Sequence, residues 1–274
     1  MTSSLPAETA ELTKGCCAAA YSGDVVAMVL GESYHPGGLA LTRGLLAHLD
    51  LAAGARVLDV ASGRGATALV IAAEHPVEVH GVDLSESNVA HATAAAGETG
   101  LAERLRFHAG DAERLPFPDS VFDAVVCECA FCTFPDKATA ARELARVLRP
   151  GGRLGITDVT IAPPGLSGDL AGLAGWVACL ADARPLDEYS SILAAAGMRT
   201  VHTERHDAAL ARMVEQIDAR LRALRMMRST LPALASVDFE RAAELTAQAA
   251  AAVRDGVAGY AMLVAVRQDA PARP

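Results

Sequence analysis

The feature that most constrains the fold of this chain is a regular alternation of short apolar segments and helical patterns. Five segments read as strands: "ARVLDVAS", "VEVHGVDL", "RLRFHAGD", "FDAVVCEC" and "GGRLGITDV". Most are apolar almost throughout, whereas a strand with one face in water would alternate apolar and polar side chains. Helical patterns such as "GATALVIAAEH" and "KATAARELARVLRP" separate them. Strands covered on both faces and joined by helices predict an α/β fold with a doubly wound, mostly parallel sheet.

Further elements surround this core and extend the predicted sheet to about seven strands. Residues 1–50 predict an N-terminal helical lid, and residues 51–206 contain the core. Residues 207–256 predict a helical insertion of two helices divided near Pro232, because proline ends a helix. Residues 257–268 return as the closing strand of the core sheet.

Charge and cysteine content argue against several classes of function. The 274 residues carry a net charge of −9, which repels phosphate backbones, so we expect no nucleic-acid partner. No run of about 18 apolar residues occurs, so we expect no membrane partner. The start "MTSSLPAETAELTKG" lacks the basic and apolar regions of a secretory leader. We therefore expect a cytoplasmic protein whose 6 cysteines are thiols rather than disulfides, with a homodimer left open.

A glycine loop follows the first predicted strand and opens a helix in "LDVASGRGATA". Gly63, Gly65 and Ala68 fit the G-x-G-x-x-A pattern of dinucleotide-binding loops, so a nicotinamide-dependent oxidoreductase is one alternative. Asp59 argues against it, because a carboxylate before the loop repels a pyrophosphate and suits a cationic ligand. Asp83 ends the second predicted strand, where a carboxylate can accept both ribose hydroxyls.

Asp111 ends the third predicted strand and is followed by the apolar "RLPFP". That combination suits an adenine, whose amine needs an acceptor and whose ring needs an apolar slot. The ordered set of acids and glycines therefore predicts one extended ligand at the carboxyl ends of the strands.

The series "VLDVASGRG", "VHGVDLSESNVAHA", "GDAERLPFPDSVFDAVVC" and "VLRPGGRLGITDV" resembles the class I S-adenosylmethionine methyltransferases. The resemblance covers about residues 40–206 and implies S-adenosylmethionine as the cofactor. Ala61 stands where that family usually has glycine. The resemblance implies that Asp59, Gly63 and Gly65 surround the methionine end, that Asp83 binds the ribose, and that Asp111 with Ala112 binds the adenine. Ala61, Leu84 and Cys127 are further candidate cofactor-binding residues.

The lid contributes two further candidates. His35, in "YHPGG", lies in a loop before a predicted helix and is a candidate to contact the methionine carboxylate or to act as a base. The alternative is a turn residue that packs on Tyr34. Tyr21 either lines the cofactor site or anchors the lid.

Three cysteines lie within six residues, at Cys127, Cys129 and Cys132. At the period of a strand, Cys127 and Cys129 point to the same side and Glu128 to the other. Buried apolar filler is the alternative for each of them. Two other interpretations are less suitable. A zinc site would need a second C-x-x-C pair, and the predicted fold is not that of thioredoxin-like proteins with a redox pair.

The segment "CECAFCTFPDKATAARELARVLRPGGRLGITDV" resembles the arsenite methyltransferases. That resemblance implies that Cys129 and Cys179, together with Cys17 or Cys16 from the lid, hold trivalent arsenic as the substrate, with Cys127 as a reserve ligand. Soft thiolates favour such an acceptor. We therefore expect a methyltransferase acting on trivalent arsenic. The alternatives are an organic acceptor such as a natural product or quinone-like molecule, with His35 or Glu128 as base, and a non-catalytic cofactor-binding module.

Overall fold

The computed structural model describes residues 7–31, 33–163, 165–166, 170, 180 and 182–269. In chain order its elements are α1 Ala7–Ser22, α2 Asp24–Leu30, α3 Gly38–Leu46, β1 Arg56–Val60, α4 Ala66–Glu74, β2 Glu78–Asp83, α5 Glu86–Glu98, β3 Leu105–Ala109, β4 Phe122–Glu128, α6 Lys137–Val147, β5 Leu148–Ile161, α7 Leu186–Ala195, β6 Met198–Arg205, α8 Asp207–Met226, α9 Phe239–Arg254 and β7 Ala258–Arg267.

The strands form one seven-stranded sheet in the order β3-β2-β1-β4-β5-β7-β6. The first five strands of that order are parallel, whereas β7 pairs antiparallel with both β5 and β6. The predicted doubly wound, mostly parallel sheet is therefore confirmed. Its apolar strands are buried on both faces, as in Val57, Leu58 and Val60 of β1, none of which is exposed to solvent.

The direction of winding reverses between β1 and β4, which lie side by side. At such a switch point, the loops that leave the two strands turn to opposite faces and open a crevice at the carboxyl ends. The loop after β1 carries Ala61 and Gly63, and the residue after β4 is Cys129. The topology thus brings two segments that are far apart in the sequence to one site.

Helix boundaries follow the local signals of the sequence. The Ser85 side chain accepts a hydrogen bond from the Asn88 N–H at the start of α5, and Asp136 does the same with Thr139 before α6. The C-terminal helices α8 and α9 are separated by a short 3₁₀ turn that begins at Pro232, as the sequence predicts.

Two boundaries differ from expectation. The fifth strand is longer than the segment "GGRLGITDV": β5 extends from Leu148, which pairs with β4, to Ile161, which pairs with β7. The third strand ends at Ala109, and Asp111 lies beyond it in an isolated bridge with Arg114.

The outer helices pack on one another over the carboxyl ends of the strands. Leu221 and Leu224 of α8 form an apolar cluster with Leu234 and Phe239, and Val25 and Val29 of α2 pack against it. The Arg220 guanidinium donates to the carbonyls of Val29 (3.0 Å) and Leu30 (2.6 Å). No helix in the described part of the chain is both long and apolar enough to cross a membrane.

Candidate active site

A cavity of about 330 Å³ opens at the carboxyl ends of β1, β2 and β4, beneath α1 and α2. We call it the cofactor cavity. Twelve of the candidate residues from the sequence line it: Cys17, Tyr21, His35, Asp59, Ala61, Gly63, Asp83, Leu84, Asp111, Ala112, Glu128 and Cys129. Gly65, Cys16 and Cys127 do not line it, and Cys179 lies outside the described residues.

The glycine loop between β1 and α4 turns through left-handed backbone conformations. Ala61 has φ 58° and Gly63 has φ 53°. A non-glycine residue in this region is uncommon and costs about 1–2 kcal/mol, so the backbone at Ala61 is strained. The turn brings the Gly63 N–H against Asp83, to which it donates at 2.8 Å.

Asp83 is held by hydrogen bonds from three groups. Besides Gly63, the Ser85 N–H (2.9 Å) and the Asn88 side-chain amide (3.2 Å) donate to its carboxylate. Burial raises the pKa of Asp83, and these hydrogen bonds oppose the rise. Its carboxylate is therefore fixed in position at the cavity wall, as a group that binds ribose hydroxyls must be.

Asp59 has a different environment, although it lies close to Asp83. It is only 2% exposed, and one carboxylate oxygen is buried without a hydrogen-bond partner among the described residues. Burial raises the pKa of Asp59 well above its usual range, and the charges of Glu128 and Asp83 raise it further. A buried acid with an unused oxygen at a cavity wall fits a positively charged ligand, because the cation would stabilise the ionised form.

Glu128 and His35 lie together in the cavity wall. The Glu128 side chain is 3% exposed, and its Oε2 is 3.6 Å from His35 Nε2. Hydroxyl groups donate to both of its oxygens: Thr42 (2.9 Å) and Thr67 (2.7 Å) to Oε2, and Thr157 (3.2 Å) to Oε1. His35 is buried within the bend before α3, and its Nδ1 is 3.4 Å from the Pro36 carbonyl.

Lys14 is a site residue that the sequence analysis missed. It belongs to α1, and its ammonium donates to Asp111 (2.8 Å) and Glu113 (2.6 Å) on the adenine side of the predicted site. Burial tends to lower the pKa of Lys14, but the hydrogen bonds and charges of the two acids outweigh burial and raise it. The chain has only one other lysine, Lys137. The scarcity of lysine is the only feature of the sequence that could have drawn attention to Lys14.

The cysteine prediction is wrong in one respect. Strand β4 ends at Glu128, and Cys129 adopts φ 53°, so the alternation of sides stops before it. Cys127 is fully enclosed in the apolar cluster on one face of the sheet, whereas Cys129 packs against the cluster on the other face.

Cys127 therefore does not line the cofactor cavity and is not available as a reserve ligand. Burial, followed by the negative charges of Asp158 and Asp59, raises the pKa of Cys127 well above its usual value, which disfavours a thiolate. Cys132 is 2% exposed and has the environment of apolar filler.

Gly65 also has a different role from the expected one. Its φ is 88°, and a Cβ atom there would lie 2.8 Å from the Phe107 ring and 2.9 Å from the Ala92 Cβ. Gly65 is thus required for the close packing of α4 against β3 and α5 rather than for contact with a ligand.

The described residues contain one group of three possible metal ligands whose ligand atoms lie within 4.8 Å of one another: His48, His202 and Glu204. His202 and Glu204 belong to β6 at the edge of the sheet, away from the cofactor cavity. Among those same residues, the cysteines do not form such a group.

Comparison with known proteins finds a family match within the core. Residues 58–156 match the family model described as a methyltransferase domain. The strand order of the sheet is that of the class I methyltransferase fold, and the matched residues are similar to S-adenosylmethionine-dependent methyltransferase domains.

Relatives with established names extend the similarity. The chain is 36% identical over 170 residues to 27-O-demethylrifamycin SV methyltransferase of Amycolatopsis mediterranei (strain S699), covering 60% of this chain and 61% of that protein. It is 35% identical over 165 residues to methyltransferase GfsG of Streptomyces halstedii, covering 59% of each. The chain thus spans about three fifths of the length of these curated relatives.

Solved structures share the fold. The [4+2]-cyclase SpnF superposes with a TM-score of 0.67 at 29% identity, covering 84% of this chain and 81% of that one. Phosphoethanolamine N-methyltransferase 2 of Haemonchus contortus, in complex with S-adenosyl-L-methionine, superposes with a TM-score of 0.72 at 20% identity, covering 92% of this chain and 57% of that one.

Proposed function

We propose that this protein is an S-adenosylmethionine-dependent methyltransferase whose acceptor is an organic small molecule. The observation that carries the proposal is the buried, partly unpartnered carboxylate of Asp59 at the wall of the cofactor cavity. A cationic sulfonium ligand suits that wall, and a dinucleotide pyrophosphate does not. Two relatives are named as methyltransferases of 27-O-demethylrifamycin SV and of demethylmenaquinone, and these names support an organic acceptor.

Bound S-adenosylmethionine would supply an activated methyl group. Asp83 would accept its ribose hydroxyls, and Asp111 with Ala112 would flank the adenine. Asp59 would stabilise the positively charged methionine portion. Because these groups are fixed by the sheet and by one another, they hold a ligand in one orientation, and orientation is a major source of rate in such transfers.

We further propose that the His35–Glu128 pair takes the proton of the acceptor's nucleophile. Both nitrogens of the His35 ring lie near acceptor atoms, which are the Pro36 carbonyl at Nδ1 and the Glu128 carboxylate at Nε2. The Glu128 carboxylate beside Nε2 can orient the imidazole for proton transfer. The three threonine hydroxyls on Glu128 keep its carboxylate in place beside the ring.

Methylation of trivalent arsenic is the second candidate. Cys17 and Cys129 line the same cavity, which favours it. It ranks below the organic acceptor because Cys127 is enclosed in the core and Cys16 lies off the cavity. The contribution of Cys179 stays a prediction.

The proposal is tested by calorimetric titration with S-adenosylhomocysteine and with NADH. The Asp83→Ala variant should bind S-adenosylhomocysteine about 5- to 150-fold more weakly, the equivalent of losing about 1–3 kcal/mol of charge-assisted hydrogen bonds. Asp255→Ala, an exposed acid at the end of α9, is the matched control and should bind normally. Tighter binding of NADH than of S-adenosylhomocysteine would show that the nicotinamide alternative is correct.

Turnover separates the two acceptors. With methyl-labelled S-adenosylmethionine, label should pass to demethylmenaquinone or 27-O-demethylrifamycin SV in preference to arsenite. Transfer to arsenite alone, lost in the Cys17→Ser/Cys129→Ser variant, would establish the second candidate instead.

A further inference from the structure

A second cavity, of about 380 Å³, lies between the N-terminal helices and the helices α8 and α9. It adjoins the cofactor cavity, because Tyr21, Tyr34 and Cys129 line both. We call it the apolar cavity. Its volume falls within the range of about 300–1,000 Å³ that small-molecule sites occupy.

The walls of the apolar cavity are hydrocarbon. Aliphatic side chains of α2, α8 and α9 dominate them, among them Val26, Met213, Ile217 and Leu245. No charged side chain occurs among its described lining residues. A carboxylate or phosphate placed there would lose its hydration without gaining an ionic partner, which is costly.

Each cation of the neighbouring cofactor cavity has an acidic partner, although the buried Nε of Arg64 has no hydrogen bond to a described residue. Lys14 is bound by Asp111 and Glu113, and Arg64 donates to Asp24 at 2.8 Å. Neither lines the apolar cavity. An anionic acceptor would therefore find no uncompensated cation in the described walls of either cavity.

One polar group at the junction of the two cavities lacks a partner. The Tyr34 hydroxyl is buried without a hydrogen bond to any residue that the structure describes. Burial raises the pKa of Tyr34, so the phenol stays protonated and can donate a hydrogen bond. The Thr246 hydroxyl, which also lies in the wall of the apolar cavity, donates its hydrogen bond to the Ala242 carbonyl (2.7 Å).

We infer that the apolar cavity binds the acceptor, and that the acceptor is an uncharged, mainly hydrocarbon molecule with a hydroxyl group at its reactive end, whose proton passes to the His35–Glu128 pair as the oxygen takes the methyl group from the sulfonium. Its body lies between α2, α8 and α9, and its oxygen accepts a hydrogen bond from Tyr34 where the two cavities meet. This inference rests on the proposed methyltransferase function and narrows its substrate class.

The first test measures binding of simple probes by calorimetry at neutral pH. Uncharged 4-pentylphenol should bind at least about tenfold more tightly than 4-pentylbenzoate, its carboxylate counterpart of similar shape. Affinity should fall about fourfold for each methylene removed in going to 4-propylphenol, the fold-change that corresponds to about 0.8 kcal/mol per buried methylene. Equal binding of the phenol and the benzoate would overturn the inference.

The second test fills the apolar cavity. Ala249→Phe adds a ring inside it and should weaken 4-pentylphenol binding at least about tenfold while S-adenosylhomocysteine affinity stays within about twofold. Ala247→Phe, on the exposed face of the same helix, is the matched control. If Ala249→Phe also loses S-adenosylhomocysteine, the smaller insertion Ala242→Leu replaces it. Undiminished phenol binding in a cavity-filled variant that still binds S-adenosylhomocysteine would contradict the assignment.

The third test concerns Tyr34. The unaltered protein should prefer 4-pentylphenol to pentylbenzene by about fivefold, the scale of one net hydrogen bond, and Tyr34→Phe should abolish that preference. Persistence of the preference in Tyr34→Phe would exclude Tyr34 as the donor.

Binding of S-adenosylhomocysteine to the unaltered protein distinguishes failure of the methyltransferase proposal from failure of the inferred acceptor class. If S-adenosylhomocysteine does not bind, the methyltransferase proposal is refuted. If it binds and 4-pentylphenol does not, only the inferred acceptor class is refuted.

Discussion

At the scale of single residues, three buried acids at the cofactor cavity have different environments. Asp83 and Glu128 are each held by hydrogen bonds from three groups, whereas one oxygen of Asp59 has no partner. The negative charges of Asp83 and Glu128 also make ionisation of Asp59 harder. Of the three acids, Asp59 therefore has the least stabilised negative charge, and a cation bound at the cavity wall would stabilise its ionised form most.

This environment predicts a pH dependence of folding stability. The pKa of Asp59 in the folded protein is raised above its unfolded value, near 3.8, so the folded chain binds the extra proton between the two values. The contribution of Asp59 to stability is fully present below the unfolded pKa and is lost as the pH rises through the folded pKa. In Asp59→Asn that loss should disappear, so the variant should gain stability relative to the unaltered protein as the pH increases.

Urea unfolding of the ligand-free proteins at a series of pH values measures this effect. Asp255→Asn, at an exposed position, should follow the unaltered protein throughout. Parallel pH profiles for Asp59→Asn and the unaltered protein would show that folding does not raise the pKa of Asp59.

At the scale of elements, the packing of α4 and α5 on the sheet depends on close approach at Gly65. Phe107 of β3 and Ala92 of α5 occupy the space that a side chain at Gly65 would need. This contact fixes the start of α4, and it thereby fixes the glycine loop that lines the cofactor cavity.

Alanine substitutions at two glycines should act in opposite directions. Gly65→Ala introduces both a clash and an unfavourable φ of 88°, and should reduce the free energy of unfolding by about 1–3 kcal/mol or more. Gly97→Ala, within α5 and with no atom near its added Cβ, should increase it by up to about 1 kcal/mol because alanine favours helix. Chemical denaturation measures both, and a stabilising effect of Gly65→Ala would disprove the packing role.

At the scale of the whole molecule, two cations connect the outer helices to other parts of the structure. Lys14 joins α1 to the loop after β3, across 97 residues of sequence to Asp111. Arg220 joins α8 to the carboxyl end of α2. Through these contacts the lid, the C-terminal helices and the cofactor cavity form one connected assembly.

Removing the Lys14 contact should loosen the lid. Lys14→Met leaves Asp111 and Glu113, both partly buried, without their cation, and hydrogen bonds between charged groups contribute about 1.5–3 kcal/mol. Amide hydrogen exchange in α1 should accelerate by about tenfold or more, while exchange in β4 should not change. Glu11→Ala, which removes an exposed neighbour 3.8 Å from Lys14, is the control. Unchanged exchange in α1 of Lys14→Met would mean that apolar packing alone holds the lid.

The sequence by itself determined the features that depend on local order. Uninterrupted apolar strands such as β1 and the helices between them specify a parallel sheet, because both faces of each strand must be covered. The order of Asp59, Gly63, Asp83 and Asp111 predicted the cavity wall, because the carboxyl ends of parallel strands meet at one edge. Pro232 marked the break between α8 and α9 through its own backbone restriction.

Only the tertiary structure decided the features that depend on distant segments or on a strand's last residue. Cys127 and Cys129 separate to opposite faces because β4 ends between them, and no periodicity shows where a strand stops. Lys14 reaches Asp111, and the apolar cavity forms, only when helices from both ends of the chain meet above the sheet. Side chains of such separated helices carry no mutual pattern in the sequence, since their contacts arise from packing in three dimensions.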